Sequence, residues 1–414
     1  MLHQNKFGGR VVVTADAMAG SSGKGCLNAW LADKRLSGVE FDIATNNWAT
    51  NAGHFVQYYI ERDKRPHGIQ HLPSLLGPDQ TTRELEVVRI LNQHICSSFV
   101  CPNTLIYINA GSSIDLEVLN KEIETIESFG YDIKSRLKIH PHANVITERD
   151  KEIEKNTITS GSTFKGCGAA LARKSIREPG CKLAKDYDEL APYIKDMTMD
   201  LNDGIRKGMD ILVEGSQGVD LDINHAEYPY TTSRQTHPSQ LIADAGLPPN
   251  SVTNIIMNMR AHPIRINNTS AADGEHRYTG NYWDADETSW ETIALESGYE
   301  SYEEFIKDYE FALLTSVTKK IRRVFKFPVE RMKYVNALVG GGLDDGVVKY
   351  AINFLNFVDR KTYGVTEYEK VMTPKVVTWL RENLYKVIAK KDLMIIRTGP
   401  FHHQSVTAAD RWIL

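Results

Sequence analysis

The chain has 414 residues, of which 42% are apolar and 25% charged, a composition typical of a soluble globular protein. Its formal net charge is −4 and it has no basic run, so polymeric nucleic acid and membrane surfaces are not expected partners. No stretch reaches the roughly 18 apolar residues of a membrane span, and no export signal is recognised. Five cysteines without paired CxxC spacing predict reduced thiols in the cytoplasm rather than disulfides or a zinc site.

The first pattern typical of a ligand site is the stretch from Val11 to Gly25, VVVTADAMAGSSGKG. Its β-branched run predicts a strand, its glycines a loop, and the apolar residues from Leu27 onward a helix. Glycine amides, a helix N-terminus and the ammonium group of Lys24 together suit a phosphate. The stretch is not a Walker A loop, because Met18 stands where that loop requires a glycine. An ordinary tight turn after a strand is the alternative interpretation.

Helical and strand patterns alternate along the rest of the chain. Strands are predicted at 105–108, 210–214 and 393–396, and helices at 116–126, 190–205 and 374–387. This alternation predicts an α/β fold with a large, mostly parallel central sheet flanked by helices. Between residues 267 and 310 the chain is polar and aromatic, which predicts an elaborated loop region with one short helix near 302–309 and no assigned chemistry.

Three further stretches are candidates for ligand binding. Residues 157–180 combine glycines and hydroxyls with spaced cations, which suits a monophosphate; a flexible loop before a solvated helix is the alternative. The cation cluster at 318–323 could clamp a dicarboxylate or form an exposed basic edge. Thr398-Gly399-Pro400 follows a buried-looking strand, and α/β folds usually bind ligands at such strand ends.

Three motifs, in order along the chain, carry a family resemblance: Gly20-Ser21-Ser22-Gly23-Lys24-Gly25, Asn51-Ala52-Gly53-His54 and Glu214-Gly215-Ser216-Gln217-Gly218. With them the chain resembles the adenylosuccinate synthetases, whose motifs read GDEGKG, NAGH and EG(A/S)QG. The resemblance covers most of the chain and is weak at 267–311 and 326–348. It implies a P-loop-related fold and a single domain over residues 1–414, with a divergent insertion-like region around 267–311.

The resemblance implies a ligase that phosphorylates the 6-oxygen of a purine monophosphate with a nucleoside triphosphate. The amine of aspartate then displaces this phosphate. Such chemistry needs a base at N1, a cation at the transferring group and an acid near the leaving oxygen. The resemblance further implies Mg²⁺ as cofactor, small-molecule substrates, and a homodimer in which Arg177 reaches the acceptor phosphate of the partner subunit.

The resemblance also assigns residues to each part of the site. The implied catalytic positions are Ser21, Lys24, His54 and Gln217. The implied acceptor-nucleotide positions are Ser21, Asn51, Thr163, Arg177, Gln217 and Thr232, and the implied aspartate positions are Thr318, Lys320 and Arg322. The implied triphosphate positions are Gly23, Lys24, Gly25, Gly53, His54, Asn356, Thr398, Gly399 and Pro400, and those of magnesium are Ser21 and Gly53.

One departure from the family concerns the catalytic base, because Ser21 replaces the family's loop aspartate. A neutral hydroxyl cannot hold a proton at neutral pH as a carboxylate does. Guanine carries a 2-amino group beside N1, and a shorter residue leaves room for it and offers an oxygen acceptor. In this respect the chain resembles the bacteriophage branch of the family, the 2-aminoadenylosuccinate synthetases, which carry serine here and convert dGMP towards 2,6-diaminopurine DNA. The hypothesis is a dGMP-using ligase, located in the host cytoplasm if phage-encoded.

A second departure concerns the phosphate donor. The family binds the guanine of GTP with an aspartate in a K-x-D motif, and the matching stretch here is Phe354-Leu355-Asn356. The amide of Asn356 offers a donor and an acceptor, as adenine requires, so ATP or dATP is predicted; a turn role is the alternative. Lys320 replaces a family arginine, and Ile266-Asn267-Asn268-Thr269 replaces a valine-glycine-alanine-glycine stretch, so the sugar contacts differ from those of the family.

Two other functions stay open. One is an ordinary adenylosuccinate synthetase using IMP and GTP, which Ser21 and Asn356 together disfavour. The other is a non-catalytic purine-nucleotide binding protein, which the retained Lys24 and His54 disfavour. The identity of the base is also open, with Asp16, a substrate phosphate or a water held by Ser21 as candidates.

Overall fold

The chain folds around one large sheet with helices packed on both faces. The computed structural model describes residues 2–61, 85–270, 276–282, 284–313, 321–343 and 346–408. Its strands are β1 (Val11–Asp16), β2 (Ile43–Asn46), β3 (His54–Glu61), β4 (Leu85–Asn92), β5 (Leu105–Ile108), β6 (Ser113–Ile114), β7 (Leu137–Ile139), β8 (Asn144–Val145), β9 (Ile211–Glu214), β10 (Asn254–Arg260), β11 (Ile264–Arg265), β12 (Thr269–Ser270), β13 (His276–Arg277), β14 (Glu287–Thr288), β15 (Arg323–Phe325), β16 (Val348–Asn353), β17 (Leu393–Arg397) and β18 (Ser405–Thr407).

The helices follow or precede these strands as an α/β fold requires. They are α1 (Lys24–Ala32), α2 (Lys34–Ser37), α3 (Leu116–Ser128), α4 (Glu148–Thr157), α5 (Cys167–Ser175), α6 (Thr198–Arg206), α7 (Pro238–Asp244), α8 (Trp290–Ser297), α9 (Tyr302–Leu313), α10 (Val329–Leu338), α11 (Tyr368–Val371) and α12 (Pro374–Glu382). Within the described ranges, no helix combines the length and apolar character needed to span a membrane.

The main sheet has nine strands in the order β18-β17-β16-β10-β1-β9-β2-β5-β7. Each neighbouring pair is parallel except β17 and β18, which run antiparallel. The predicted α/β class with a large, mostly parallel sheet is therefore confirmed.

Strand β1 shows why this sheet is buried on both faces. All six of its residues are buried, and it pairs with β10 on one side and β9 on the other. Val11 and Val13 contribute to one apolar cluster, and Val12, between them, contributes to the cluster on the opposite face. Because side chains alternate along a strand, a run of consecutive valines supplies both cores at once.

The carboxyl ends of the central strands lie along one edge of the sheet. The loop after β1 carries Ser21, the loop after β9 carries Gln217, and β17 leads into Gly399. Strand β10 ends at Arg260 at the same edge, because it runs parallel to β1 with Asp16 opposite Asn258. The predicted ligand-binding loops are therefore brought together by strand order, as is usual for open parallel sheets.

The predicted helix over 190–205 was wrong in its first half. Residues 188–193 form a 3-10 turn that contains Pro192, and α6 begins only at Thr198. The intervening backbone pairs with β7 instead, since the amide of Lys195 donates to the carbonyl of Ile139 at 2.9 Å. Edge pairing with the sheet has replaced the helical bonds that the apolar spacing predicted.

The region around 267–311 contains more regular structure than the predicted loop with one short helix. Helices α8 and α9 pack their aromatic side chains, including Trp290, Phe305 and Tyr309, into a third apolar cluster with Phe357. Strand β14 pairs with β15, which joins this region to the chain just after Arg322. The region therefore forms part of the wall of the site at the edge of the sheet.

Candidate active site

Two cavities meet at the carboxyl edge of the sheet. The first has a volume of about 460 Å³ and the second about 110 Å³. Five residues line both cavities: Ser21, Lys24, Gly53, His54 and Arg322. A group bound in one cavity can therefore meet a group bound in the other at this shared wall. All five are among the residues predicted to form the site.

The loop after β1 places Ser21 in a left-handed backbone conformation, with φ of 53°. Its carbonyl oxygen accepts a hydrogen bond of 2.9 Å from Nη1 of Arg260, and its Oγ accepts one of 3.3 Å from Nη2 of Arg322. Gly23, with φ of 89°, then begins helix α1, a conformation that glycine adopts without strain. Arg260 thus holds the backbone of Ser21 and Arg322 its hydroxyl, which together place the serine at the shared wall.

Lys24 is held by a buried ion pair. Its Nζ lies 2.8 Å from Oδ2 of Asp16 and donates at 2.7 Å to the carbonyl oxygen of Gln217. The other oxygen of Asp16 accepts from the amide of Met18 at 2.9 Å and from Ser22 Oγ at 3.1 Å. Both oxygens of Asp16 are engaged and Asp16 lines neither cavity, so it positions Lys24 rather than facing a substrate.

His54 is the first residue of β3. It is buried, with its ring edge against Trp48 at 4.0 Å between centroids. Burial, and then the charge of Lys24, lowers the pKa of His54 well below its usual value. The imidazole is therefore neutral near pH 7, and its Nδ1 has no partner among the described residues.

The Glu214–Gly218 motif divides into a structural half and a half that faces the site. Glu214 is fully buried and accepts hydrogen bonds from Asn28 and from the amides of Ser97 and Ser98, each at 2.9 Å. Gln217, by contrast, lines the first cavity, and its Oε1 is buried without a partner in the described part of the chain. Glu214 thus ties β9 to neighbouring elements, while Gln217 offers an acceptor to a ligand.

The first cavity contains most of the predicted acceptor-nucleotide residues. Asn51, Thr163 and Thr232 line it, and Asn51 Nδ2 donates to Thr232 Oγ1 at 3.4 Å. Arg177 lines neither cavity and is exposed after α5, in a left-handed conformation with φ of 57°. Thr318 and Lys320 lie outside the described residues.

The second cavity contains all but one of the predicted triphosphate residues. Thr398 is the exception, because it is fully buried and its Oγ1 donates to the carbonyl of Val365 at 2.7 Å. Asn356 lines this cavity and is 1% exposed, and its Oδ1 is buried without a partner among the described residues. Tyr309, which lies beside the Asn356 side chain, lines the same cavity.

Several residues of the site carry no sequence pattern that predicts their role. Tyr309 and Thr279 come from the region to which no chemistry was assigned, and each lines a cavity. Arg260 contacts Ser21 although 239 residues separate them. The one sequence signal for Arg260 is a charged residue at the end of an otherwise apolar strand, and such a signal is weak without the strand order.

The possible magnesium ligands are neutral oxygens. Ser21 and Gly53 line both cavities, and no aspartate or glutamate lines the second cavity within the described ranges. Those ranges also contain no group of three histidine, cysteine, aspartate or glutamate side chains suited to a metal. Since Mg²⁺ commonly binds through substrate phosphates and waters with few protein ligands, the residues present fit an ion that enters with a triphosphate.

Comparison with known proteins shows similarity to the adenylosuccinate synthetases. A family model described as adenylosuccinate synthetase matches residues 85–187 and 180–280. The adenylosuccinate synthetase of Methanococcus aeolicus is 28% identical over 391 residues, which cover 94% of this chain and 96% of the relative. Over nearly its whole length the chain is similar to the adenylosuccinate synthetases. Members of this family are C–N ligases, so the chain is an enzyme of that class.

Two solved structures share the fold. The succinoaminodeoxyadenylate synthetase of cyanophage S-2L, bound to dGMP and to dATP as an energy donor, matches with a TM-score of 0.70 and 22% identity over 98% of this chain and 97% of its own. The fully ligated adenylosuccinate synthetase of Plasmodium falciparum also gives a TM-score of 0.70, with 15% identity over 96% of this chain and 100% of its own. The chain thus shares its fold with both structures.

The geometry around Asp16 leads to a kinetic prediction. In an Asp16→Asn variant Lys24 loses its ionic partner, so we expect the KM for the triphosphate to rise and kcat to fall about 10-fold or more, since the cation is no longer held at the shared wall. Steady-state kinetics with each substrate varied separately would measure this. Asp210→Asn, which removes an ion pair with Arg10 at the opposite edge of the sheet, is the matched control. A fall in kcat with an unchanged KM would instead indicate proton transfer by Asp16.

Proposed function

We propose that this synthetase joins L-aspartate to the 6-position of dGMP with ATP or dATP. The products are N6-succino-2-amino-2'-deoxyadenylate, the nucleoside diphosphate and phosphate, and the reaction serves 2,6-diaminopurine DNA synthesis. The observation that carries the proposal is the serine hydroxyl of Ser21 at the wall shared by the two cavities, where the family has a carboxylate. We further propose a cytoplasmic homodimer, in the host if the chain is phage-encoded, in which the exposed Arg177 reaches the acceptor phosphate of the partner subunit.

The surroundings of Ser21 support guanine as the acceptor base. The hydroxyl already accepts from Arg322, which leaves one lone pair and its own proton for the purine. Guanine presents N1–H and a 2-amino group on this edge, and an oxygen acceptor of small volume suits the amine. A carboxylate in place of this hydroxyl would extend further into the first cavity and narrow the space for that amine.

The wall between the base end and the phosphate end of the first cavity supports a 2'-deoxyribose. Ile266 and Thr279 line it, and Thr279 packs against Gly161 of the loop proposed to hold the phosphate. The hydroxyl of Thr279 donates to the carbonyl of Ile266 at 2.7 Å, so these two polar groups are already paired. The single proton of the Thr279 hydroxyl is used in this bond, so a ribose 2'-hydroxyl on this wall would lose water without gaining that donor, which is unfavourable.

In the proposed reaction the 6-oxygen of dGMP attacks the γ-phosphoryl group as N1 loses its proton. Lys24 and Arg322 stabilise the negative charge on the transferring group, and His54 and Gln217 hydrogen-bond the reacting purine. The amine of aspartate, with Arg322 as a contact for its carboxylate, then attacks C6, loses a proton, and phosphate leaves. We assign the N1 proton to a phosphate oxygen or a water held by Ser21, because Asp16 is occupied by Lys24.

Magnesium would supply charge neutralisation on the triphosphate. We propose the Gly53 carbonyl and the Ser21 hydroxyl as its protein contacts, with phosphate oxygens and waters completing the shell.

Asn356 supports an adenine nucleotide as the phosphate donor. Its unpartnered Oδ1 is an acceptor for the 6-amino group of adenine. Its amide nitrogen carries two hydrogens, one of which can be donated to a ring nitrogen of adenine. The 6-oxygen of guanine, an acceptor, would instead face the oxygen of Asn356.

A substrate cross would test the proposal directly. Purified protein with aspartate and Mg²⁺ is assayed with IMP, GMP and dGMP, each against ATP, dATP and GTP, following phosphate release and the succinylated product. We expect the highest kcat/KM for dGMP with ATP or dATP. Activity confined to IMP with GTP would replace the proposal by ordinary adenylosuccinate synthesis. Silence in all nine combinations would favour a nucleotide-binding protein without catalysis.

Restoring the family's carboxylate should reduce dGMP use. In Ser21→Asp we expect kcat/KM for dGMP to fall about 10-fold or more, because the carboxylate crowds the 2-amino group, while use of IMP rises relative to it. Parallel assays with both acceptors would measure the ratio. Ser128→Asp adds the same charge on the exposed face of α3 and should leave the ratio unchanged. Unaltered dGMP turnover in Ser21→Asp would contradict the account of the acceptor pocket.

Changing the donor contact should alter donor choice separately. We expect Asn356→Asp to lower kcat/KM for ATP relative to GTP about 10-fold, because a carboxylate accepts from N1–H and the 2-amine of guanine but cannot donate to adenine. Donor competition assays at a fixed acceptor would measure the change. Asn250→Asp, at an exposed position, is the control. A variant that retains the donor preference of the parent would remove Asn356 as its origin.

A further inference from the structure

Arg260 is a fully buried cation without a carboxylate partner among the described residues. It ends β10 with 0% exposure, and its guanidinium group makes one hydrogen bond there, from Nη1 to the carbonyl oxygen of Ser21. Its Nε and Nη2 have no partner within the part of the chain that the structure describes. The carboxylate of Asp16 is engaged by Lys24 instead.

The free energy of this arrangement is unfavourable on its own. A buried charge without a counter-charge costs folding free energy, and a hydrophobic residue of similar volume is often more stabilising. Burial, and then the charge of Arg322, lowers the pKa of Arg260 to about 9. The group is still a cation near pH 7, so the protein tolerates a positive charge here that its own side chains do not neutralise.

Arg260 lies behind the wall of the second cavity, which is proposed to hold the phosphate donor, and contacts two residues of that wall. Its guanidinium carbon lies 4.3 Å from the ring centroid of Phe354, and Phe354 lines the second cavity. Ser21, whose carbonyl Arg260 holds, lines both cavities. The cation therefore stands one residue layer from the point where the two cavities meet.

We propose that Arg260 is a positioning residue of the reaction centre. It holds the Ser21 loop in its left-handed conformation, and its unneutralised charge draws the γ-phosphoryl group of the donor to the shared wall. In a low-dielectric interior such a charge acts strongly on an anion a few ångströms away. The anion that completes the ion pair is supplied by the donor nucleotide. This inference is independent of which purine the acceptor carries.

The test compares ligands that differ only in the γ-phosphate. Thermal unfolding of the full chain is followed with Mg²⁺ and either ADP or the imido analogue of ATP. The same measurement is made in parallel with GDP and the imido analogue of GTP. In the parent protein we expect the triphosphate analogue to raise the unfolding temperature more than the diphosphate does. In Arg260→Gln, which keeps an N–H donor but is neutral and shorter, we expect this difference to fall by half or more, and kcat to fall about 10-fold or more.

Two further variants separate positioning from a merely structural role. Arg260→Lys keeps the charge and should keep most of the γ-phosphate-dependent difference. Arg331→Gln is the matched control, because Arg331 is equally buried but paired with Asp220. Replacing Arg331 should lower the unfolding temperature of the ligand-free protein. It should leave unchanged the difference in unfolding temperature between the triphosphate analogue and the diphosphate. Arg260→Gln without ligand should, in contrast, unfold no earlier than the parent.

Three results would overturn the proposal. One is a γ-phosphate-dependent difference in Arg260→Gln equal to that of the parent. Another is a ligand-free unfolding temperature of Arg260→Gln lowered as much as that of Arg331→Gln. The third is failure of Arg260→Gln to fold, because the ligand-free fold itself would then require the charge of Arg260. None of these results depends on dGMP. The role proposed for Arg260 can therefore be refuted while dGMP use is supported, and dGMP use can be refuted while the role of Arg260 is supported.

Discussion

The site depends on the close approach of the two loops that follow β1 and β9. A Cβ atom at Gly218 would overlap the carbonyl oxygen of Met18, so the loops can touch only because that residue is glycine. Across the same contact Lys24 donates to the carbonyl of Gln217. Parallel pairing of β1 with β9 brings the loops to one edge, and the missing side chain then allows backbone to meet backbone.

Within this frame, burial gives similar polar groups different roles. Lys24 is balanced by Asp16, so its charge can be held deep in the protein without a ligand. His54 has no carboxylate facing it among the described residues, and burial keeps it neutral. Arg260 is neither paired with a carboxylate nor made neutral by burial. It stays charged, and no described side chain supplies its counter-charge. The differences follow from position in the fold rather than from residue type.

Local sequence patterns predicted the parts of the fold that local interactions determine. The strand, loop and helix around Ser21 and the strand before Gly399 were confirmed, because β-branched runs, glycines and apolar spacing act over a few residues. The first half of the helix predicted at 190–205 failed because Lys195 bonds to a distant strand, which no local pattern contains. Arg260 and Tyr309 were missed for the same reason. Their contacts, with Ser21 and Asn356, depend on strand order and on packing of the third apolar cluster.

The residues common to both cavities have a consequence for how such an enzyme diverges from its relatives. Ser21 lines both cavities. Under the proposed assignment of one nucleotide to each cavity, an exchange there that admits a new acceptor also reshapes one side of the donor's space. A lineage that changes its acceptor through this position would therefore change its donor preference as well, whereas an exchange at Asn356, which lines only the second cavity, would leave the acceptor's space as it was.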